Sequence, residues 1–172
     1  MTQMRLRPSR MKIRRLPVRW IIVHHTVELY DISQARVDNK AYQLYGLVKS
    51  VLERKDPDIN YHYVIDKIKD DYVPIVTRPT VYLCDWPDIS TDINDRAVHV
   101  ALLGSYDLKM PDRRLYEILA YRLLNPMMKE FNIKPDRIKF HNEVSSDKDL
   151  SCPGLFLSKD IVKAMTRRFV IK

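Results

Sequence analysis

The histidines are the residues of this chain best suited to chemistry, because each lies in or at the end of an apolar segment. There are 5 of them, namely His24, His25, His62, His99 and His141. Imidazole is the commonest metal ligand in proteins and also serves as a general acid or base. A lone histidine on a strand is nevertheless more often a packed residue than a ligand. The histidines alone therefore leave a structural and a functional interpretation open.

Cys152 adds a thiolate to these imidazoles. The stretch FHNEVSSDKDLSCPG has His141 at the end of a predicted strand and Cys152 in the loop that follows. In WIIVHHT, His24 ends another predicted strand. Two imidazoles and a thiolate with an open fourth position can hold a catalytic zinc ion. These residues are too far apart in sequence for a short motif to specify them, so the set is a hypothesis about their convergence.

An alternation of strands and helices must position these side chains. Apolar and β-branched runs predict strands over 20–25, 60–66, 72–77, 97–104 and 137–141. Helical periodicity predicts helices over 35–54, from Pro111 to about Phe131, and after Ser158 with Ile161, Val162 and Met165 on its inner face. We expect Pro126 to bend or interrupt the second helix and Pro74 to mark an edge strand or a bulge. These elements predict a single-domain α/β fold with a mixed central β-sheet flanked by helices.

The positive charge is concentrated at the N-terminus. Residues 1–19 hold seven Arg or Lys residues and no Asp or Glu, which accounts for most of the formal net charge of +8. We therefore divide the chain into a basic N-terminal arm, 1–19, and a domain, 20–172. A basic arm attracts polyanions such as anionic cell-wall polymers, an acidic partner or nucleic acid. The alternative is a solvated tail without a partner.

Two further features of the composition bear on where the protein works. No apolar run approaches the roughly 20 residues that a membrane span needs, and the N-terminus lacks the apolar centre of a secretory signal. We therefore expect a protein made in the cytoplasm without a signal peptide or a membrane span. The 2 cysteines, Cys84 and Cys152, are too few for a disulfide framework. A single bridge between them stays open, with a free thiol or a metal ligand as the alternative.

Five segments resemble, in order, the zinc-dependent N-acetylmuramoyl-L-alanine amidases, the family of phage amidase lysozymes and peptidoglycan-recognition proteins. The segments are IIVHHT, NYHYVID, TRP, NDRAVHVALLGSYD and FHNEV with the following SCPG. The resemblance implies the fold of that family and a Zn²⁺ ion held by His24, His141 and Cys152. It also implies that Tyr61 takes the position of the catalytic tyrosine.

The resemblance implies hydrolysis of the amide bond between N-acetylmuramic acid and L-alanine in bacterial peptidoglycan. Zn²⁺ lowers the pKa of its bound water to about 7 and polarises the scissile carbonyl. The phenol of Tyr61 would orient that water or stabilise the developing oxyanion. A phage-type lysin, or a wall hydrolase carried in a virion, would meet the cell wall after lysis or delivery.

The last zinc segment departs from the family pattern. Many active relatives carry Lys or Thr two residues before the cysteine ligand, where this chain has Leu150. The interval from His141 to Cys152 is also longer, and Lys148 is the candidate substitute for the missing oxyanion donor. If Lys148 does not replace it, the protein is either a slow enzyme or a non-catalytic peptidoglycan-binding or virion structural module with the amidase fold. Contact between the arm and a polymerase, as some phage relatives make, is a third alternative.

The long loop over 79–96 also departs from the family pattern. Relatives have a Trp-His-Ala-like segment there, whereas YLCDWPD retains Trp86 but has no histidine. We interpret Cys84 as an inert thiol, because a fourth protein ligand would close the reactive position of the metal. The histidines outside the ligand set, His25, His62 and His99, are interpreted as structural. Asn142 and Glu143 are candidates to support His141.

Overall fold

The computed structural model describes residues 11–26, 59–68 and 70–167. In these ranges five strands form one sheet: β1 (Trp20–His25), β2 (Tyr63–Ile68), β3 (Asp71–Val76), β4 (Ala97–Leu102) and β5 (Ile138–Phe140). Their order across the sheet is β3-β2-β4-β1-β5. β1 runs parallel to β4 and β5, β2 runs parallel to β4, and β2 pairs antiparallel with β3. The predicted mixed sheet is therefore confirmed.

Short helices and one long helical rod complete the described fold. The helices are α1 (Thr91–Asn94), α2 (Arg113–Glu117), α3 (Asn125–Glu130), α4 (His141–Val144) and α5 (Lys159–Arg167). A π-helical segment, Ile118–Leu124, joins α2 to α3, and this continuous run over 113–130 is the helical rod. A 3-10 turn, Pro135–Arg137, precedes β5. The predicted helix over 35–54 lies outside the described residues. None of the described helices has the length and apolar character that crossing a membrane requires.

The central strands β1 and β4 separate two kinds of surface. Alternate residues of these strands belong to the main apolar core, together with residues of the helical rod: Ile21, Val23, Val98, Val100, Leu119 and Leu124. The residues between them point to the other face, because successive side chains of a strand alternate. On that face Ile22 packs with Ile89 of the loop over 79–96. The rod thus covers one face, and the long loop lies against the other.

The start of the rod and the orientation of Ile161 differ from the prediction. The rod begins at Arg113 rather than Pro111, because the Asp112 side chain caps the helix by accepting a hydrogen bond from Leu115 N at 2.9 Å. The α-helical pattern gives way to π-helix just before Pro126, which has no N–H to donate and crowds the preceding turn. In α5, Val162 is buried, but Ile161 is 45% exposed, so its predicted inward position is wrong.

The hairpin agrees with the sequence except at its start. β3 is an edge strand, and Pro74 lies in it opposite Ile65, as expected for a residue that cannot donate to the ladder. β2 begins at Tyr63 rather than residue 60. Tyr61 and His62 therefore precede the strand, and the His62 N–H bonds the His99 carbonyl of β4 at 2.9 Å.

Part of the predicted basic arm packs on the domain. Ile13 forms an isolated bridge with Tyr82 of the long loop. The guanidinium of Arg14 donates to the carbonyl oxygens of Thr80, Asp95 and Ala97 at 2.7–2.9 Å. Because three backbone acceptors compensate its burial, this cation can be partly withdrawn from water. Residues 11–16 therefore help to fix the loop over 79–96.

Candidate metal centre

The carboxyl ends of neighbouring parallel strands bring the three candidate ligands together. His24 is the next-to-last residue of β1, and His141 follows β5 directly. The ligand-capable atoms of His24, His141 and Cys152 all lie within 4.8 Å of one another. The Sγ atom of Cys152 is 4.0 Å from Nδ1 of His24. All three side chains are buried.

The loop that carries Cys152 is fixed by hydrogen bonds to the neighbouring elements. Asn142 N donates to the Cys152 carbonyl at 2.9 Å, which ties the loop to α4. The Asp107 carboxylate accepts from Ser151 Oγ and Leu155 N, each at 2.8 Å. These contacts hold both flanks of the cysteine.

Gly154 allows this loop to approach the turn after β4. Its φ of +108° lies in the region that favours glycine. A Cβ atom at this position would lie 2.6 Å from the backbone of Tyr106. The close approach of the two loops therefore requires glycine here.

The protonation of the ligands suits a cation at this position. Burial raises the pKa of the Cys152 thiol to about 12, although a hydrogen bond from the His25 N–H opposes this. A thiolate at neutral pH therefore needs a compensating positive charge nearby. Burial holds the pKa of His24 well below its usual value, and neighbouring histidines lower it further. A neutral imidazole is the form that binds a metal.

Each candidate imidazole ligand has a partner behind it. Nε2 of His24 lies 2.9 Å from Nδ1 of His99, and both residues are fully buried. Nε2 of His141 lies 2.8 Å from Oδ2 of Asp88, though out of line for an ideal N–H···O bond. Burial lowers the pKa of His141, and the Asp88 carboxylate acts in the opposite direction. Ser145 Oγ donates to the same Asp88 oxygen at 2.6 Å.

Two aromatic rings lie against His24. The Trp86 ring stacks on it with a centroid distance of 4.7 Å and an interplanar angle of 23°. The Tyr61 ring meets it edge-on at 5.4 Å. Trp86 also touches His141, with ring centroids 5.1 Å apart. Tyr61, predicted as catalytic, therefore lies beside the first candidate ligand.

The remaining histidines and Cys84 make structural contacts. His25 Nδ1 accepts from Tyr106 N at 3.1 Å on the face opposite His24. His62 Nε2 donates to the Tyr82 carbonyl at 2.9 Å, and Cys84 Sγ lies 3.2 Å from its Nδ1. Neither cysteine forms a disulfide bond and both are buried, so the disulfide alternative is wrong.

The last two predicted participants have different surroundings. The Lys148 side chain is exposed, and among the described residues no hydrogen bond or ion pair joins it to the three candidate ligands. Glu143 accepts from Phe140 N at 2.7 Å and forms an ion pair with Lys159. It thereby anchors the segment from which His141 projects, whereas the side chain that lies against the His141 ring nitrogen is that of Asp88.

His99 and Asp88 are neighbours of the ligands that sequence reasoning missed as such. The burial of His99 agrees with its interpretation as structural, but its contact with His24 joins residues 75 positions apart. Asp88 lies among other polar residues of the loop, and no motif or spacing in the sequence marks it as a partner of a ligand. The loop over 79–96 is fixed by tertiary contacts such as Asn94 Nδ2 with the Trp86 and Ile89 carbonyls. Sequence periodicity does not encode contacts of this kind.

The fold is α/β with a mixed sheet, and two imidazoles and a thiolate converge near the ends of its strands. These features define a domain with a candidate mononuclear metal centre. The chain belongs to the N-acetylmuramoyl-L-alanine amidase family, whose sequence model matches residues 14–155. The resemblance noted in the sequence is therefore confirmed. Among curated proteins, none matches the chain significantly.

Solved structures share the fold. The N-acetylmuramoyl-L-alanine amidase LysC from Clostridium intestinale URNW is 20% identical, with a TM-score of 0.62 over 91% of this chain and 88% of that one. The Ph2119 endolysin of Thermus scotoductus MAT2119 bacteriophage Ph2119 is 21% identical, with a TM-score of 0.61 over 91% and 89%. The bumblebee protein PGRP-SA is 17% identical, with a TM-score of 0.64 over 88% and 84%. Identities of this size concern the fold alone.

Proposed function

We propose that this protein is a zinc-dependent amidase that hydrolyses the bond between N-acetylmuramic acid and L-alanine in bacterial peptidoglycan. The observation that carries the proposal is the approach of the ligand atoms of His24, His141 and Cys152 to within 4.8 Å. Membership of the amidase family supplies the substrate class. Tyr61 beside His24 supports turnover rather than binding alone.

Two nitrogens and one sulfur suit zinc among the common metal ions. Zinc accepts imidazole and thiolate together, and three protein ligands leave a fourth position open. When bound there, Zn²⁺ lowers the pKa of a water molecule and polarises a carbonyl group. His24 and His141 would supply neutral ligands, and Cys152 would reduce the net charge of the site by one.

Tyr61 and Lys148 are the proposed catalytic residues of the chain. A phenol O–H beside the ligands can donate to the oxygen of the substrate carbonyl as negative charge develops there. The Lys148 ammonium would donate to the same oxygen. Because its side chain is exposed in the segment before Cys152, it would have to turn inward when the substrate binds.

A non-catalytic peptidoglycan-binding or virion structural module is the second candidate. Leu150 favours it, because this residue offers no side-chain donor at a position where many active relatives have one. In either case we propose action on the cell wall after lysis or delivery, as a phage-type lysin or a virion-associated protein. The basic N-terminal segment would bind anionic wall polymers or a virion protein.

Incubation with purified peptidoglycan, with and without a chelator, tests this proposal. The expected result is release of free L-alanine amino termini that stops when the chelator is present and returns with added zinc. Release of reducing sugar ends instead would indicate a glycosidase and contradict the proposal. Binding to the wall without release of any ends would establish the second candidate.

A further inference from the structure

The two ring nitrogens of His24 face different partners. Nδ1 is 4.0 Å from Cys152 Sγ, on the side of the other candidate ligands. Nε2 is 2.9 Å from Nδ1 of His99. A nitrogen that binds a metal carries no proton, so a metal on Nδ1 requires the hydrogen of this neutral imidazole to be on Nε2. That hydrogen then points at His99.

We propose that His99 is a positioning residue that accepts this hydrogen bond and thereby holds His24 with Nδ1 available to a divalent cation. The inference rests on the proposed zinc site and adds a residue to it. His99 touches neither the cation nor the substrate. It acts through the orientation and tautomer of His24, which is how buried partners of metal-binding histidines raise affinity.

The backbone of β4 gives His99 a fixed position for this role. Its N–H donates to Nδ1 of His62 at 3.0 Å, and its carbonyl accepts from the His62 N–H at 2.9 Å. His62 is itself held by its Nε2 donating to the Tyr82 carbonyl at 2.9 Å. The backbone N–H and the backbone carbonyl of His99 are therefore both hydrogen-bonded to His62. The acceptor nitrogen behind His24 is held by the sheet rather than by a loop.

Burial makes the acceptor necessary. His24 and His99 are both 0% exposed, so water cannot replace a lost partner of His24 Nε2. A buried N–H without an acceptor is disfavoured. His99 carries that cost at its own Nε2, which has no hydrogen-bond partner among the described residues, because a metal on Nδ1 of His24 requires the shared hydrogen to lie on His24. His141 differs, because its partner Asp88 keeps 25% of its side chain exposed and Nε2 of His141 makes no well-aligned hydrogen bond to it. The dependence on a protein partner is therefore greater on the His24 side.

A matched pair of substitutions separates the acceptor from the packing. Leu and Asn have nearly the same shape, but only Asn offers an oxygen close to the position of Nδ1. His99→Leu should weaken zinc binding by about 10–100-fold, the usual effect of losing such a partner. His99→Asn should stay within a few fold of the unsubstituted protein. Affinity is measured by competition with a chromophoric chelator, and folding by circular dichroism.

Equal zinc affinities for His99→Leu and the unsubstituted protein, with both folded, would overturn the inference. So would equal losses in the Leu and Asn variants, since these would indicate packing alone. Nitrogen-15 spectra of the histidines in the unmodified zinc-loaded protein provide a test that needs no variant. We expect protons on Nε2 of both His24 and His99, and a proton on Nδ1 of His99 would contradict the assignment.

These measurements also distinguish the inference from the proposed function. A protein that binds zinc with the expected dependence on residue 99 but releases no L-alanine ends would refute the amidase proposal alone. A protein that releases those ends with unchanged zinc affinity in His99→Leu would refute the role of His99 alone.

Discussion

The two faces of strands β1 and β4 differ in what their side chains do, although both faces are formed by alternate residues of the same strands. On one face Ile21, Val23 and Val100 pack under the helical rod. On the other face His24 and His99 meet beneath the loop over 79–96. The first face provides apolar burial, and the second provides polar groups that burial keeps neutral. Alternation along a strand thus lets one sheet supply both stability and a rigid frame for ligands.

The largest expected effect comes from removing the thiolate on the histidine face. Cys152→Ser should lose bound zinc and with it detectable hydrolysis, because only three protein residues hold the proposed ion. Zinc content by atomic absorption and amide hydrolysis are the measurements. Cys84→Ser is the matched control, since Cys84 is likewise buried and outside any disulfide but is not in the ligand set. A zinc-loaded Cys152→Ser protein would contradict this account of the face.

A smaller effect is expected at Tyr61, which adjoins the ligands without joining them. Tyr61→Phe should keep zinc but reduce turnover by about 10²–10³-fold, the range for losing one oxyanion donor. The ring contact with His24 is retained in this variant, so folding and metal content should not change. Turnover equal to that of the unsubstituted protein would remove Tyr61 from the mechanism.

Lys148 tests whether the exposed loop contributes to the histidine face. Lys148→Ala should slow hydrolysis less than Tyr61→Phe, because an exposed side chain must be ordered before it can donate. Leu150→Lys in the same background should restore part of the rate by placing a donor nearer to Cys152. Rates are compared on one peptidoglycan preparation. If Lys148→Ala has no effect, the oxyanion is held by other groups.

The pH dependence of stability should come from the polar face. Burial lowers the pKa of His62 from 6.5 to about 3, so the unfolded chain binds a proton that the folded chain does not. The contribution of His62 to the free energy of unfolding is therefore fully present above pH 6.5 and is lost as the pH is lowered from 6.5 towards 3. The slope is at most about 1.4 kcal/mol per pH unit for one group. His62→Asn should flatten the pH dependence of urea unfolding in the zinc-free protein.

The apolar face supplies the control for that experiment. Ile21→Val should lower the unfolding free energy by about 0.5–1.5 kcal/mol, the usual effect of removing one buried methylene group. Because no charge is involved, the loss should be the same at every pH. A pH-dependent loss in Ile21→Val would show that the two faces are not energetically separate.

Much of the fold could be predicted because apolar runs determine where strands form. The runs around Ile21 and Val98 gave strands close to their observed bounds, and Pro74 correctly marked an edge. Strand ends were less accurate where tertiary hydrogen bonds decide them, as at His62. Ile161 was misplaced because a short amphipathic helix leaves its rotation to the packing of its neighbours.

The ligand set could be proposed from the sequence because residue types and their order resemble a known family. The structure brings those three residues together, whereas the loop with Lys148 stays exposed. The roles of His99 and Asp88 could not be predicted, since each meets its candidate ligand across a long separation in sequence. Pairings between non-adjacent segments depend on register and loop conformation, which local patterns do not determine.

X-ray absorption at the zinc edge of the purified protein tests the central claim most directly. The account predicts about one zinc per chain, with one sulfur at about 2.3 Å and the other ligands nitrogen or oxygen at about 2.0–2.1 Å. Absence of zinc, a shell without sulfur, or a shell with two sulfurs would contradict a centre formed by His24, His141 and Cys152.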